Sequence, residues 1–233
     1  MDLIGRESLK TWSLIVTLFG DLDGEELTGA QIRDLLGHLG IKPDAIRVAL
    51  HRLKSDGWIV STHHGREAVY ALSKTARRET VAASADVYRQ KVKFPEGCRF
   101  YLLKEAAAPA GSVALTRELI VAPRDVASGL PDAVPLVAET GDIPVWVERR
   151  LVSEPFLETA EGLVAILQAA ERAGGLPSER DRTAMRLLVL HHWRRLALRP
   201  GSWAHIGLLP EGSLARCHRL VTTFLKDSPP IRA

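Results

Sequence analysis

The sequence predicts an α+β fold: helices joined by a tight turn, a two-stranded hairpin, a small sheet and a closing run of helices. Three observations predict it. Ile46, Leu50 and Leu53 stand at i, i+4 and i+7, just beyond the turn Gly37-His38-Leu39-Gly40 and Pro43, which describes a helix entered through a tight turn. Trp58-Ile59-Val60 and Val69-Tyr70-Ala71-Leu72 are short β-prone runs on either side of His63-His64-Gly65-Arg66, the pattern of a hairpin. From residue 155 onwards, helical periodicity returns between glycine and proline stops.

Taken in order, Leu9, Trp12, Ile15, Val16 and Phe19 recur at helical spacing, and Gly20-Asp21-Leu22-Asp23-Gly24 closes that first helix. Thr28 opens the second. Its hydroxyl can accept from the Gln31 N–H while the Gln31 side chain reaches back, a capping box, and Ile32, Leu35, Leu36 and Leu39 are the expected buried positions. The third helix begins at Pro43, where a missing N–H costs nothing, and ends at Asp56-Gly57. After the hairpin, Ser73 caps a fourth helix from Lys74 to about Val92, with Val81, Ala85 and Tyr88 on one face. Residues 98–103, 115–121 and 145–147 read as strands of a small sheet. Leu163, Ile166, Leu167 and Ala170 mark a helix over 155–173 that Gly174-Gly175 stops. Ser178-Glu179-Arg180-Asp181 opens another through Leu187, Leu190, Trp193 and Leu196 to Arg199-Pro200, and a last helix covers about 213–224. The expected units are 1–73, a linker helix over 74–93, a small α/β unit over 94–152 and a helical region over 153–233.

Composition excludes several classes. The chain has 233 residues, 46% of them apolar, with mean hydropathy near zero, enough to fill a core. No apolar run approaches the roughly 18 residues a bilayer needs, so no membrane span is expected. The stretch Met1-Asp2-Leu3-Ile4-Gly5-Arg6 lacks the pattern of a secretion signal, and a cytoplasmic location is expected. Cys98 and Cys217 are too few for a disulfide framework and suit buried thiols in a reducing compartment. His191, His192, His205, Cys217 and His218 form no HxxxH or CxxC, and adjacent histidines on a helix point about 100° apart, so no metal site is expected. No GxSxG, GxxxxGK[ST], GxGxxG or HExxH is present, and the acids of the middle region, Asp125, Asp132 and Asp142, fall in loops. The expectation is a protein that is not an enzyme and holds no cofactor.

Charge is unevenly distributed. Residues 1–41 hold 3 Lys/Arg and 7 Asp/Glu, whereas residues 42–93 hold 11 and 5. The surplus falls on the third helix, hairpin and fourth helix, where a cationic surface would attract phosphates; an arginine-rich face in solvent reads the same way. Arg47, His51 and Lys54 repeat the apolar spacing one residue later and are candidates for base or phosphate contact in the major groove of double-stranded DNA. Arg47 has a rival role, an internal ion pair with an acid of the first or second helix. Arg52 and Thr28 are candidates for phosphate contact, Thr28 at a helix N-terminus. His63, His64 and Arg66 form the hairpin tip, suited to the minor groove or the backbone, or simply to solvent. The alternative partner for the same surface is protein or RNA.

Several motifs carry a family resemblance. LFGD at 18–21, LGI at 39–41, AIRVALHRL at 45–53 and DGWI at 56–59 resemble the N-terminal domain of the PaaX family, repressors of phenylacetic acid degradation. LIVAPRD at 119–125, LHHWRR at 190–195, Arg199-Pro200 and LLPEG at 208–212 resemble its central strand and helical tail. The resemblance implies a winged helix-turn-helix, a ferredoxin-like central domain and a C-terminal region for effector binding and dimerisation. It implies a homodimer that holds operator DNA until a small acidic metabolite releases it, the family effector being phenylacetyl-coenzyme A or a related acyl-coenzyme A. On that reading His191, Trp193, Arg194 and Arg195 are candidates for an anion or acyl-coenzyme A phosphate site. Two departures stand out. Only AAAPAGS at 106–112 separates the first two central strands, and seven residues with a proline hold no covering helix of ordinary length, so the central domain is expected to be abbreviated. Ser213 stands near where the family usually has a tryptophan.

Overall fold

The computed structural model describes residues 10–22, 26–65, 67–92, 98–104, 109, 112–114, 116–123, 129–130, 132–136, 148–149, 152–199 and 201–232. The architecture is mixed α+β, with two small antiparallel sheets and several helices. Leu9, Arg66 and the strand expected at 145–147 lie outside the described residues.

The N-terminal part is built from α1 (Thr11–Asp21), β1 (Leu27–Thr28), α2 (Gly29–His38), α3 (Pro43–Ser55), β2 (Ile59–His64), β3 (Glu67–Leu72) and α4 (Lys74–Val87). The capping box at Thr28 forms as expected: Thr28 Oγ1 accepts from Gln31 N at 3.2 Å, and Gln31 Oε1 accepts from Thr28 N at 2.8 Å. Ser73 Oγ accepts from Ala76 N at 3.2 Å and starts α4. Leu14, Ile15 and Leu18 of α1, Ile32 and Leu36 of α2, and Ile46, Leu50 and Leu53 of α3 form one core; Leu35 and Leu39 are only half-buried against it. The hairpin differs from expectation. Gly65, with φ of +64°, gives a two-residue turn, so pairing runs to His64↔Glu67, and His63 and His64 are strand residues. Two-residue β1 adds an edge through Leu27↔Tyr70 and Thr28↔Val69, too short to carry an alternation signal.

Helix α4 stops at Val87, not near Val92, because its end is claimed by tertiary bonds. Trp193 Nε1 donates to the Val87 carbonyl at 2.8 Å, and Tyr88 OH donates to Asp21 at 2.7 Å. The expected face is also corrected: Val81 is 67% exposed, and Ala76 is the buried residue of the helix.

The central sheet has the order β5–β6–β4–β7, with β4 Cys98–Leu102, β5 Val113–Ala114, β6 Leu119–Pro123 and β7 Val134–Leu136. The strand expected over 115–121 is interrupted at Thr116, whose Oγ1 accepts from Leu119 N at 3.0 Å while its N–H donates to the Leu119 carbonyl at 3.1 Å. The chain reverses there, and 113–114 pair back onto 120–121. Exposed, proline-bearing β7 escapes notice because such strands survive only at sheet edges.

The C-terminal helices are α5 (Glu154–Arg172), α6 (Glu179–Ala197), α7 (Ser202–Leu208) and α8 (Ser213–Asp227). Ser178 Oγ accepts from Asp181 N at 3.1 Å and caps α6. Short α7 begins after Gly201 at φ +85° and has too few residues for periodicity to reveal it. Glu148, 2% exposed, accepts from Ser213 N at 2.8 Å and Leu214 N at 3.1 Å, which sets a carboxylate on the positive end of α8. Leu163, Leu167, Trp193, Leu196, Leu214 and Val221 form a second core. No described helix is long and apolar enough to cross a membrane.

Candidate nucleic-acid interface

The junction of α2 and α3 sets the surface. Leu39 N, Gly40 N and Ile41 N bond back to Leu36, Gly37 and Leu36 carbonyls, and Gly40 takes φ +79°, a value only glycine adopts cheaply. Lys42 then holds extended backbone and Pro43 opens α3. With Ile46, Ala49, Leu50 and Leu53 turned inward, Arg47, Val48, His51, Arg52 and Lys54 are left exposed.

Each candidate side chain has a definite setting. Arg47 lies 3.5 Å from Asp44 of its own helix, both exposed, so the internal ion pair with an acid of α1 or α2 does not form. Arg52 lies 3.5 Å from Asp56 and over the Trp12 ring at 5.9 Å, which turns it toward α1. Lys54 Nζ donates to Ser61 Oγ of β2 at 2.7 Å and bridges helix to hairpin. His51 and His63 are exposed, the Thr28 hydroxyl is engaged in its cap, and the His64 side chain and Arg66 fall outside the described residues. Val48, 61% exposed between Arg47 and His51, escaped the sequence reading. An apolar residue off the buried stripe was its signal.

The four candidates on α6 have different settings. Trp193, 1% exposed, is a core residue, its ring 5.9 Å from that of Trp203 and 5.6 Å from that of His218. His191 is buried and bonded to the Ser13 backbone, and loss of water pushes it down to about 3. Arg195 is exposed. Arg194 lines a cavity between α1, α4 and α6.

One polar cluster had no local signal. Asp21 accepts from Arg186 Nε and Nη2 at 2.7 Å each, from Tyr88 OH at 2.7 Å and from Ile231 N at 3.0 Å, and both charged side chains are buried. Arg186 Nη1 also donates to the Ser228 carbonyl and, at 3.2 Å, to that of Leu225. The cluster draws its members from α1, the residue after α4, α6, α8 and the C-terminal segment.

Residues 10–76, from α1 to the start of α4, match the family model described as PaaX-like protein. That segment is similar to a PaaX-like domain. The chain is also similar to the transcriptional repressor PaaX of Escherichia coli (strain K12), 29% identical over 237 residues, with 85% of this chain and 72% of that one covered. Among solved structures, an uncharacterized protein from Mycobacterium tuberculosis is similar with a TM-score of 0.46 and 17% identity, over 94% of this chain and 97% of that one. The cationic face of α3 lies within the matched segment.

Proposed function

We propose that this chain is a dimeric transcriptional repressor that binds operator DNA through residues 1–73 acting as a winged helix-turn-helix. Helix α3 enters the major groove, and the β2–β3 hairpin serves as the wing. The observation that carries the proposal is the row Arg47, His51 and Lys54, exposed on a helix whose opposite side is packed against α1. The similarity to a protein named a transcriptional repressor supports the same reading. Arg47, His51 and Lys54 read base edges or phosphates, Arg52 and Thr28 contact phosphates, and His63, His64 and Arg66 bring the wing tip to the backbone or minor groove. Helix α4 links this unit to a small ferredoxin-like central domain over 94–152 and to a helical region over 153–233 that dimerises and receives the effector. Two α3 helices stand about 34 Å apart, one DNA turn. By family resemblance the operon serves phenylacetate-like aromatic acids, and an acyl-coenzyme A thioester biases the dimer into a state that no longer fits. His191, Trp193, Arg194 and Arg195 belong to the region that senses it. No step of this function requires catalysis, and it operates in the cytoplasm.

The test is binding of the purified protein to duplex fragments from its own promoter region, by fluorescence anisotropy across a salt series, against random duplex and single-stranded RNA. A preference for the promoter fragment with a negative slope of log affinity on log salt is expected. Equal binding to random duplex, or preference for RNA, overturns the proposal.

A further inference from the structure

We propose that the cavity between α1, α4 and α6 binds a small organic carboxylate with an apolar body, its carboxylate held by the Arg194 guanidinium. The cavity measures about 290 Å³. An apolar protein cavity of about 150 Å³ is enough to hold benzene, so one ring or a short alkyl chain with its carboxylate fits. Val16, Val87 and Leu190 give it an apolar wall, and Thr17, Ser84 and Arg194 are polar groups among them, the mixture that fixes a small ligand's orientation.

The cation is the informative member. Arg186, two turns earlier on the same helix, is buried with a carboxylate on its guanidinium fork. Arg194 is half-buried, and among the described residues its partner is a neutral hydroxyl: Nη1 donates to Thr17 Oγ1 at 3.0 Å. Thr17 Oγ1 in turn donates to the Ser13 carbonyl at 2.9 Å, so its proton is committed there and its oxygen is turned to accept from the guanidinium. Burial works against the arginine's charge, and among the described residues no carboxylate is bonded to it. A carboxylate in the cavity supplies that anion and accepts two parallel N–H bonds from the planar fork. Glu79, exposed on the α4 side of the lining, opposes highly charged ligands and selects for a single negative charge. This cavity therefore takes a free monocarboxylate and is a site distinct from that of a coenzyme A thioester effector, whose acyl end is neutral and whose remainder carries several negative charges.

Half-buried Trp58 closes one side. Its N–H donates to the Leu53 carbonyl at the end of α3, and its carbonyl accepts from Ser73 N beyond the hairpin, each at 2.9 Å. An occupant therefore touches the joint between α3 and the hairpin. The proposal goes beyond the DNA-binding reading and is tested without DNA.

Benzoate and hexanoate, with benzamide and hexanamide as neutral partners and benzoyl-coenzyme A as the thioester, are titrated into the full chain by calorimetry and thermal shift. Saturable binding of at least one acid is expected, with its amide weaker by roughly tenfold or more, the loss of one charge-assisted contact. Arg194→Gln should weaken the acid to the level of the amide, Ala83→Phe, on the α4 wall of the cavity, should fill it and abolish both, and Arg172→Gln, exposed at the end of α5 and outside the lining, should leave binding unchanged. Far-UV circular dichroism identifies any variant that has not folded, and the acid-to-amide comparison in the unaltered protein stands without variants. Equal affinity for acid and amide, no saturable binding of either acid, undiminished binding by folded Arg194→Gln, or thioester binding with inert free acids overturns the proposal.

Discussion

Arg47 and Arg52 are both exposed on α3, yet their surroundings predict different losses on truncation. The Asp44 partner of Arg47 lies at 3.5 Å with both side chains in solvent, a pair worth about 0–1 kcal/mol that a base edge displaces readily. Arg52 is drawn toward Trp12 and Asp56, at the edge of the helix. Arg47→Ala should therefore cost about 1–3 kcal/mol on the promoter fragment and relax its preference over random duplex, whereas Arg52→Ala should weaken both alike and reduce the salt slope by about one. Anisotropy titrations at several salt concentrations separate the two; identical, sequence-independent losses would remove Arg47 from base reading. A second residue-scale outcome concerns pH. Burial pushes His191 from its ordinary 6.5 down to about 3, and His205 and His218 are displaced in the same direction by burial. The unfolded chain therefore binds more protons than the folded one below about pH 6.5, and stability is complete above that value and falls as pH is lowered toward 3. Thermal melts from pH 7.5 to about 4 should show this decline, and a folded His191→Gln variant should show a shallower one; a parallel decline in the variant rules out His191 as a source.

The turn between α2 and α3 decides how the exposed face of α3 is presented, and two glycines distinguish conformation from space there. Neither Gly37 nor Gly40 has any atom within 4 Å of an added Cβ, but only Gly40 has a positive φ, +79°. Gly40→Ala should cost roughly 1–2 kcal/mol through left-handed strain alone, whereas Gly37→Ala, inside α2, should be neutral or stabilise by up to about 1 kcal/mol. Urea denaturation midpoints measure both, and equal effects would show that the turn is not held by backbone conformation. Elements of this kind were legible in the sequence because their signals are local. Thr28 with Gln31, Pro43 with Gly57, Ser73 and Ser178 each mark a helix end within four residues of the bond that makes it. The end of α4 was not legible, since residues 88–92 contain no breaker and the helix stops for Trp193 and Asp21, both far along the chain. The candidate site divided the same way. The α3 residues emerged from periodicity, whereas the settings of the α6 candidates depend on partners far along the chain: Trp193 is taken into the second core and Arg194 lines the cavity against α1 and α4.

At the scale of the whole molecule, the N-terminal core is closed by residues from the other end of the chain. Leu187 of α6 and Ile231 lie inside it, His38 Nε2 meets Asp181 at 2.9 Å, and Arg180 pairs with Asp34. Asp21 gathers partners 67, 165 and 210 residues away, which is why the sequence offered it only as a turn residue. An N-terminal unit that borrows its core from the C-terminal region cannot unfold independently of it, so tryptophan fluorescence and far-UV circular dichroism should report one coincident transition. Removing one partner of the buried pair breaks that link. Arg186→Met leaves Asp21 with the Tyr88 and Ile231 donors but no cation and should cost about 3–5 kcal/mol; replacing both, Asp21→Leu with Arg186→Met, should cost less than the sum of the single changes. Deleting 228–233 removes the Ile231 side chain, about 1.5–3 kcal/mol of apolar burial, and one donor to Asp21. In both the deletion and Arg186→Met the two probes should separate, with the N-terminal part melting first because it loses Ile231 in the one case and the cation on Asp21 in the other, while Leu163, Trp193 and Val221 keep their contacts. If the probes already disagree in the unaltered chain, or stay coincident after the deletion with no fall in midpoint, the C-terminal segment does not close the N-terminal core in solution.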